Sequence, residues 1–225
     1  MNHYIVTFLM IAIFLLLILS WVILFFLHRN KLRGKENQKQ GFKFEDDVAK
    51  KIKQHIKGKK VKFLPGNIYK YDGKLFEVDG ILVFENLVAV IECKSYFGEL
   101  QGDASATELQ LVSYTKKGTI TKDFKNPVLQ NEKHLNHLEK IIGRSMPLAS
   151  MIVCPTGLII NVKHLPKHVI ITTEDQMLNR IDELLEFSNK NQQNKIDDKV
   201  IVTALANFEV KSKREKKEFQ KMIEG

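Results

Sequence analysis

Asp79, Glu92 and Lys94 carry the most specific chemistry in this chain. Two apolar runs, Gly80 to Phe84 and Leu87 to Ile91, flank Glu85-Asn86 and are rich in the β-branched and aromatic residues that suit a pleated sheet. A tight turn at that pair makes Phe84 face Leu87, Val83 face Val88 and Asp79 face Glu92. Directly opposed residues hold their Cβ atoms roughly 4.5 to 5.5 Å apart, and period-two alternation puts Lys94 on the face of Glu92. Two carboxylates so close repel unless a cation sits between them, and a hard divalent ion such as Mg²⁺, with Mn²⁺ as a substitute, takes oxygen ligands of this kind. Metal-assisted phosphodiester hydrolysis needs such a pair, with an ammonium to orient water or meet developing negative charge. The bland alternative is a surface ion pair worth about 0 to 1 kcal/mol. Consistent register on strands apolar on both faces favours the chemical reading.

The elements that must position these residues extend to both sides. Phe44, Val48, Ile52 and Ile56 mark a helical stripe, and Glu45 sits beside that stripe, either leaning toward the site or serving the helix N-terminus. Val61 to Leu64 and Asn67 to Tyr71 predict a strand bent near Pro65-Gly66, and Leu109 to Tyr114 with Gly118 to Thr121 predict a short hairpin. Asn126 and Pro127 open a helix as N-cap and first residue, with Leu135, Leu138 and Ile142 as its buried stripe. Gln130, His134, His137 and Ile141 line another stripe, where a solvated or nucleic-acid-facing role for the histidines is favoured over metal ligation. Leu148 to Cys154 and His168 to Thr172 read as buried strands, joined through the Pro155-Thr156-Gly157 turn and a Leu158 to Pro166 connection. A helix follows Thr173, then a polar linker from Ser188 to Lys195, then a final helix or helix pair from Asp197 to Met222. Its basic run, Lys211 to Lys217, reads as a solvated face that could also touch phosphates or lipid.

In their order, these elements resemble the NERD (nuclease-related domain) family of the PD-(D/E)XK nuclease superfamily. The resemblance covers much of Gly41 to Asn136: Gly41-Phe42-Lys43-Phe44-Glu45, Val78-Asp79-Gly80, Glu92-Cys93-Lys94, the Gly-rich Tyr96 to Gly102, and Asn126-Pro127-Val128-Leu129-Gln130-Asn131. Val78 stands where the superfamily's nominal motif has proline, a position that is not a ligand. The resemblance implies an α/β fold with a restriction-endonuclease-like core, a mixed central sheet flanked by helices. It implies a Mg²⁺-dependent nuclease in which Asp79, Glu92, Glu45 and the Cys93 backbone carbonyl hold the metal, Lys94 acts on the water, and Gln130 lies near the carboxylates.

Tyr4 to Leu27 carries no charged residue and, at about 1.5 Å per residue, is long enough to cross roughly 30 Å of hydrocarbon. It predicts one transmembrane helix ahead of the core, and Met1-Asn2-His3 lacks the basic start of a cleaved signal peptide. Arg29, Lys31, Arg33 and Lys35 precede the first acid, Glu36, which predicts a single-pass protein of the cell membrane with its N-terminus outside and the domain in the cytoplasm. The expected organisation is an anchor over 1–30, a basic juxtamembrane linker over 31–40, the nuclease-like domain over 41–190 and a basic helical extension over 191–225. With 35 Lys plus Arg against 26 Asp plus Glu, the net charge of +9 gives modest support to a nucleic-acid partner, DNA in the nuclease reading, since basic residues beside an anchor also bind anionic lipid. Two cysteines, Cys93 and Cys154, make no disulfide framework and are read as buried thiols. Competing readings are a membrane-tethered nucleic-acid-binding or partner-docking module without turnover, and a lipid-reading structural protein that leaves the hairpin carboxylates without a purpose.

Overall fold

The computed structural model describes residues 2–116, 118–143, 146–190 and 197–224, without the side chains of 2–7, 9, 11, 12, 14, 30, 33, 35, 37, 223 and 224. Two compact units divide the chain, Met1–Lys43 and Phe44–Gly225. Helix α1 is assigned over Asn2–His55, and residues 31–40, expected as a linker, are helical. Among the described residues no helix is long and apolar enough to cross a membrane. The expected transmembrane run from Tyr4 to Leu27 falls partly on side chains outside the described ones.

The second unit is built on a five-stranded mixed sheet of order β1-β2-β3-β7-β9. Its strands are β1 (Val61–Tyr71), β2 (Lys74–Phe84), β3 (Val88–Cys93), β7 (Leu148–Cys154) and β9 (Val169–Thr173). The β2-β3 register pairs Val83 with Val88 and Gly80 with Ile91, and Phe84 N–H donates to the Leu87 carbonyl at 2.9 Å, the register that the apolar pattern predicts. Period-two alternation then sorts the side chains. Leu82, Phe84, Ala89 and Ile91 pack with Val48 and Ile52 of α1 and with Met177 and Ile181 of α3 (Glu174–Lys190). Ile81, Val83, Val88 and Val90 pack on the other face with Leu135 and Leu138 of α2 (Pro127–Ile142) and Ile201 and Leu205 of α4 (Asp198–Phe208). Because both faces are covered, these strands read as continuous apolar runs.

A second sheet of order β6-β5-β4-β8 forms from β4 (Glu99–Asp103), β5 (Glu108–Thr115), β6 (Gly118–Lys125) and β8 (Ile159–Lys163). The β5-β6 hairpin is the one expected, with longer arms. β4 and β8 correct the expectation of a Gly-rich turn and a plain connection: they pair in parallel, Glu99 with Ile159 through Asp103 with Lys163. The final helices are a pair, α4 and α5 (Lys213–Glu224), and α5 seats Phe219 against Ile68 and Val210. Ser188 belongs to α3 instead of a linker. It is buried, and its hydroxyl and carbonyl accept from Asn86 N–H and Nδ2, both at 3.0 Å, which clamps the β2-β3 turn. Linker residues 191–195 lie outside the described residues.

Asn126 does more than cap α2. Its side-chain oxygen accepts from Val128 N–H at 2.9 Å while Nδ2 donates to the carbonyls of Ala104 at 3.0 Å and Ala106 at 2.7 Å, tying the helix start to the turn after β4. Asn126→Ala is expected to destabilise the fold by about 2 to 3 kcal/mol, combining a lost cap of about 1 kcal/mol with the loss of a partner for the buried Ala104 carbonyl and the half-buried Ala106 carbonyl. Urea denaturation of both proteins measures this, and a loss below about 0.5 kcal/mol would contradict the tie.

Candidate active site

Beyond Gly80 and Ile91 the β2-β3 ladder opens. Alternation of hydrogen-bonded pairs from Phe84-Leu87 onward would give the Cys93 N–H to the Val78 carbonyl. The Asp79 carboxylate takes it instead, Oδ2 accepting from Cys93 N–H at 2.7 Å. Across β1, Gly66 stands opposite Asp79, between the Pro65-Gly80 and Asn67-Val78 pairs. A Cβ on Gly66 would lie 2.9 Å from the Asp79 carbonyl oxygen, so only glycine lets β1 run this close to the site.

A cavity of about 320 Å³ forms where the strands part, and Glu45, Glu77, Asp79, Glu92, Lys94 and Gln130 line it. Glu45 comes from the helix on one face of the sheet and Gln130 from the helix on the other. Glu92 is 3% exposed, and its Oε1 accepts from Lys94 Nζ at 2.6 Å and from Gln130 Nε2 at 2.7 Å. Gln130 reaches it because α2 is pinned one residue later: buried Asn131 donates to the Ser150 hydroxyl at 2.8 Å and the Val90 carbonyl at 3.3 Å. All five side chains singled out from the sequence thus meet in one place. Cys93 also lines the cavity, and its described contact there is the N–H bond to Asp79.

Burial, more than any other factor, raises the pKa of these carboxyls. Glu45 is pushed up to about 7 by burial and by the charges of Asp79 and Glu77. Asp79 is raised by burial and by Glu92, and Glu92 by burial against the opposing pull of Lys94. Burial works to lower Lys94, but the charge and hydrogen bond of Glu92 win and its pKa is raised, so it stays an ammonium. The two cysteines are buried thiols, and burial pushes Cys154 up to about 12.

Two residues depart from expectation. His134 is 13% exposed instead of solvated, stacks on Phe76 at 6.2 Å between centroids, and is lowered to about 4 by burial and by His137. Its Nε2 lies 3.7 Å from Glu92 Oε2, too far for a hydrogen bond, and a neutral imidazole makes no ion pair there. His137 also packs on Phe76, at 4.8 Å, and burial lowers its pKa. Glu77, raised by burial, is the acidic member that sequence reasoning missed. Its signal was available, since it lies two residues before Asp79 on the same strand face.

The expected metal ligands form an oxygen-rich, charge-repelling set that suits a hard divalent cation. Among the described residues, however, no group of three or more His, Cys, Asp or Glu side chains is arranged to hold an ion. Asp79 Oδ2 is turned to the Cys93 N–H, and Glu92 Oε1 to Lys94 and Gln130.

The raised carboxyls make the metal-free protein sensitive to pH. The folded state keeps protons on Glu45 and Asp79 that the unfolded chain has already lost, so this contribution is present at low pH and disappears as pH rises through about 7, and the raised Glu77 and Glu92 act in the same direction. His134 works in the opposite direction, but only below its ordinary value of 6.5. In EDTA, Tm should therefore fall between roughly pH 6.5 and 8, and Mg²⁺ should reverse the fall. A Tm that rises over that interval in EDTA would contradict the burial of these groups.

The nuclease-related domain family model matches residues 40–155. An uncharacterized protein of Bacillus anthracis is 32% identical over 84 residues, 37% of this chain and 38% of that protein's own length. Among solved structures, the small subunit of the heterodimeric restriction endonuclease R.BspD6I is similar with a TM-score of 0.36 and 12% identity, over 77% of this chain and 93% of that one.

Proposed function

The chain belongs to the nuclease-related domain family, and from that premise we propose that it is a membrane-anchored nuclease that hydrolyses phosphodiester bonds in DNA with a bound Mg²⁺ or Mn²⁺. The observation that carries this reading is the meeting of Glu45, Asp79, Glu92, Lys94 and Gln130 in one buried cavity. Asp79 and Glu92, assisted by Glu45 and the Cys93 carbonyl, would hold the ion. When bound, it supplies positive charge that polarises a phosphoryl oxygen and lowers the pKa of water. Lys94 contributes a fixed ammonium where negative charge develops, and its ion pair with Glu92 orients it. Gln130 fixes the Glu92 carboxylate through its amide. His134 stays neutral and adds no charge.

Membrane anchoring rests on the uncharged run and on side chains along it. Phe8 is 72% and Trp21 68% exposed, with Leu15, Ile18, Leu24 and Leu27 also exposed on different sides of the helix. Apolar side chains exposed around a helix are favoured by apolar surroundings. Arg29, Lys31, Arg33 and Lys35, which follow the uncharged run, support a cytoplasmic side for the second unit through the positive-inside rule.

A second reading, a tethered nucleic-acid-binding module without turnover, draws on the hydrogen bonds already occupying the Asp79 and Glu92 oxygens. Incubating the purified chain with single-stranded, double-stranded and structured DNA and RNA separates the two. Cleavage of DNA in Mg²⁺ or Mn²⁺ and its loss in EDTA support the nuclease. Binding without cleavage on every substrate supports the module.

A further inference from the structure

Glu45, Glu77 and Asp79 also line a second, larger cavity of about 510 Å³, so the acidic pocket opens into a groove. One wall of that groove is formed by the end of α1, with Asp46, Lys50 and Lys53, and by Lys57 in the turn after it. Lys50 and Lys53, three residues apart, share one face of α1, and Lys57 follows in the turn just past the helix end at His55. Other lysines of the same stretch are neutralised: Lys51 pairs with Glu174 at 2.8 Å, Lys59 with Asp182 at 2.5 Å and Lys60 with Glu85 at 3.0 Å. Among the described residues no carboxylate pairs with Lys50, Lys53 or Lys57, and the Lys53 ammonium sits 5.9 Å from the Phe63 ring centroid. Among the described lysines of residues 50–60, those without an ion-pair partner are thus the ones that line the groove.

We infer that this groove binds the backbone phosphates flanking the reacting phosphodiester, with Lys50, Lys53 and Lys57 as their cations. The inference rests on the nuclease reading above and adds where the substrate strand lies. A polyanion cannot approach four carboxylates on its own, so the phosphates beside the reacting one need countercharge that the acidic pocket does not supply. Lysine ammoniums are compact point charges that suit phosphate oxygens without demanding a base sequence. A bilayer surface is the other source of anionic phosphate, but a concave groove beside a buried pocket admits a strand more readily than a flat membrane.

The test is binding of duplex DNA by the full chain in nonionic detergent, with EDTA present so that no cleavage is read, over a range of salt concentrations. Counterion release gives a slope of about −0.9 in log affinity against log salt per phosphate neutralised. Replacing Lys50, Lys53 and Lys57 together by Gln should make the slope shallower by about 2 to 3 while Tm is unchanged, whereas replacing Lys122, Lys125 and Lys163 by Gln should leave it within about 1 of wild type. The inference is overturned if the groove variant keeps the wild-type slope, or if the second variant loses as much. It is also overturned if the groove variant loses binding only to phosphatidylserine vesicles, or if wild type binds no DNA. Because only binding is measured, a wild type that binds but never cleaves in Mg²⁺ would sink the nuclease reading while the slopes still decide the groove.

Discussion

Asp79→Asn is expected to abolish metal-dependent cleavage and, in EDTA at pH 8, to make the protein more stable than wild type. The two effects share one cause. The Asp79 carboxyl is raised by burial and by Glu92, so ionising it in the folded, metal-free protein is unfavourable. An amide keeps the shape and leaves an oxygen to accept from the Cys93 N–H, now 2.7 Å from Oδ2, while removing the charge that burial opposes. The same change deletes an anionic ligand, so the stabilisation that Mg²⁺ gives wild type should vanish in the variant. Since 1 kcal/mol moves Tm by roughly 2 to 4 °C in a domain of this size, a gain of a few degrees is expected and measurable by calorimetry. A variant less stable than wild type at pH 8 in EDTA would show that Asp79 serves the fold and is not held at a cost for function.

Lys94→Ala separates chemistry from metal binding. The ammonium is 22% exposed and held by Glu92 at 2.6 Å, and it is the one cation among the cavity-lining residues named here. Its loss should slow single-turnover cleavage by ~10²-fold or more, the size of effect found when a charge that meets a developing oxyanion is removed. Mg²⁺ affinity should be kept or improved, because the ion no longer competes with Lys94 for Glu92. Lost Mg²⁺ affinity together with unchanged cleavage at saturating metal would reverse the assignment.

The site was legible where period and parity decide the outcome. Two apolar runs about a two-residue turn fix the register from Phe84-Leu87 to Gly80-Ile91, which leads Asp79, Glu92 and Lys94 to the same end of the hairpin, where the strands part and Asp79 turns to the Cys93 N–H. Asn126-Pro127 announced the α2 start, and the helix period carried Gln130 toward the site. What failed were features set by partners distant in sequence. β8 is half-solvated, with Ile159 exposed, so it shows no apolar run, and Gly98 and Gly102 made β4 look like a turn until β8 supplied its parallel partner. His134 and His137 are polar residues on a mixed stripe, and only the Phe76 ring packed against them decides that they are sheltered. Glu77 resembled any strand acid, and its importance comes from a cavity roofed by Glu45 of α1.

The most direct test of the central claim is single-turnover cleavage of one end-labelled DNA duplex by wild type and by Lys94→Ala, each with Mg²⁺ and each with EDTA, using samples of matching Tm. The account predicts cleavage by wild type in Mg²⁺, none by either protein in EDTA, and a rate for the variant in Mg²⁺ lower by ~10²-fold or more. Equal rates for the two folded proteins, or cleavage by wild type that EDTA does not touch, would contradict it.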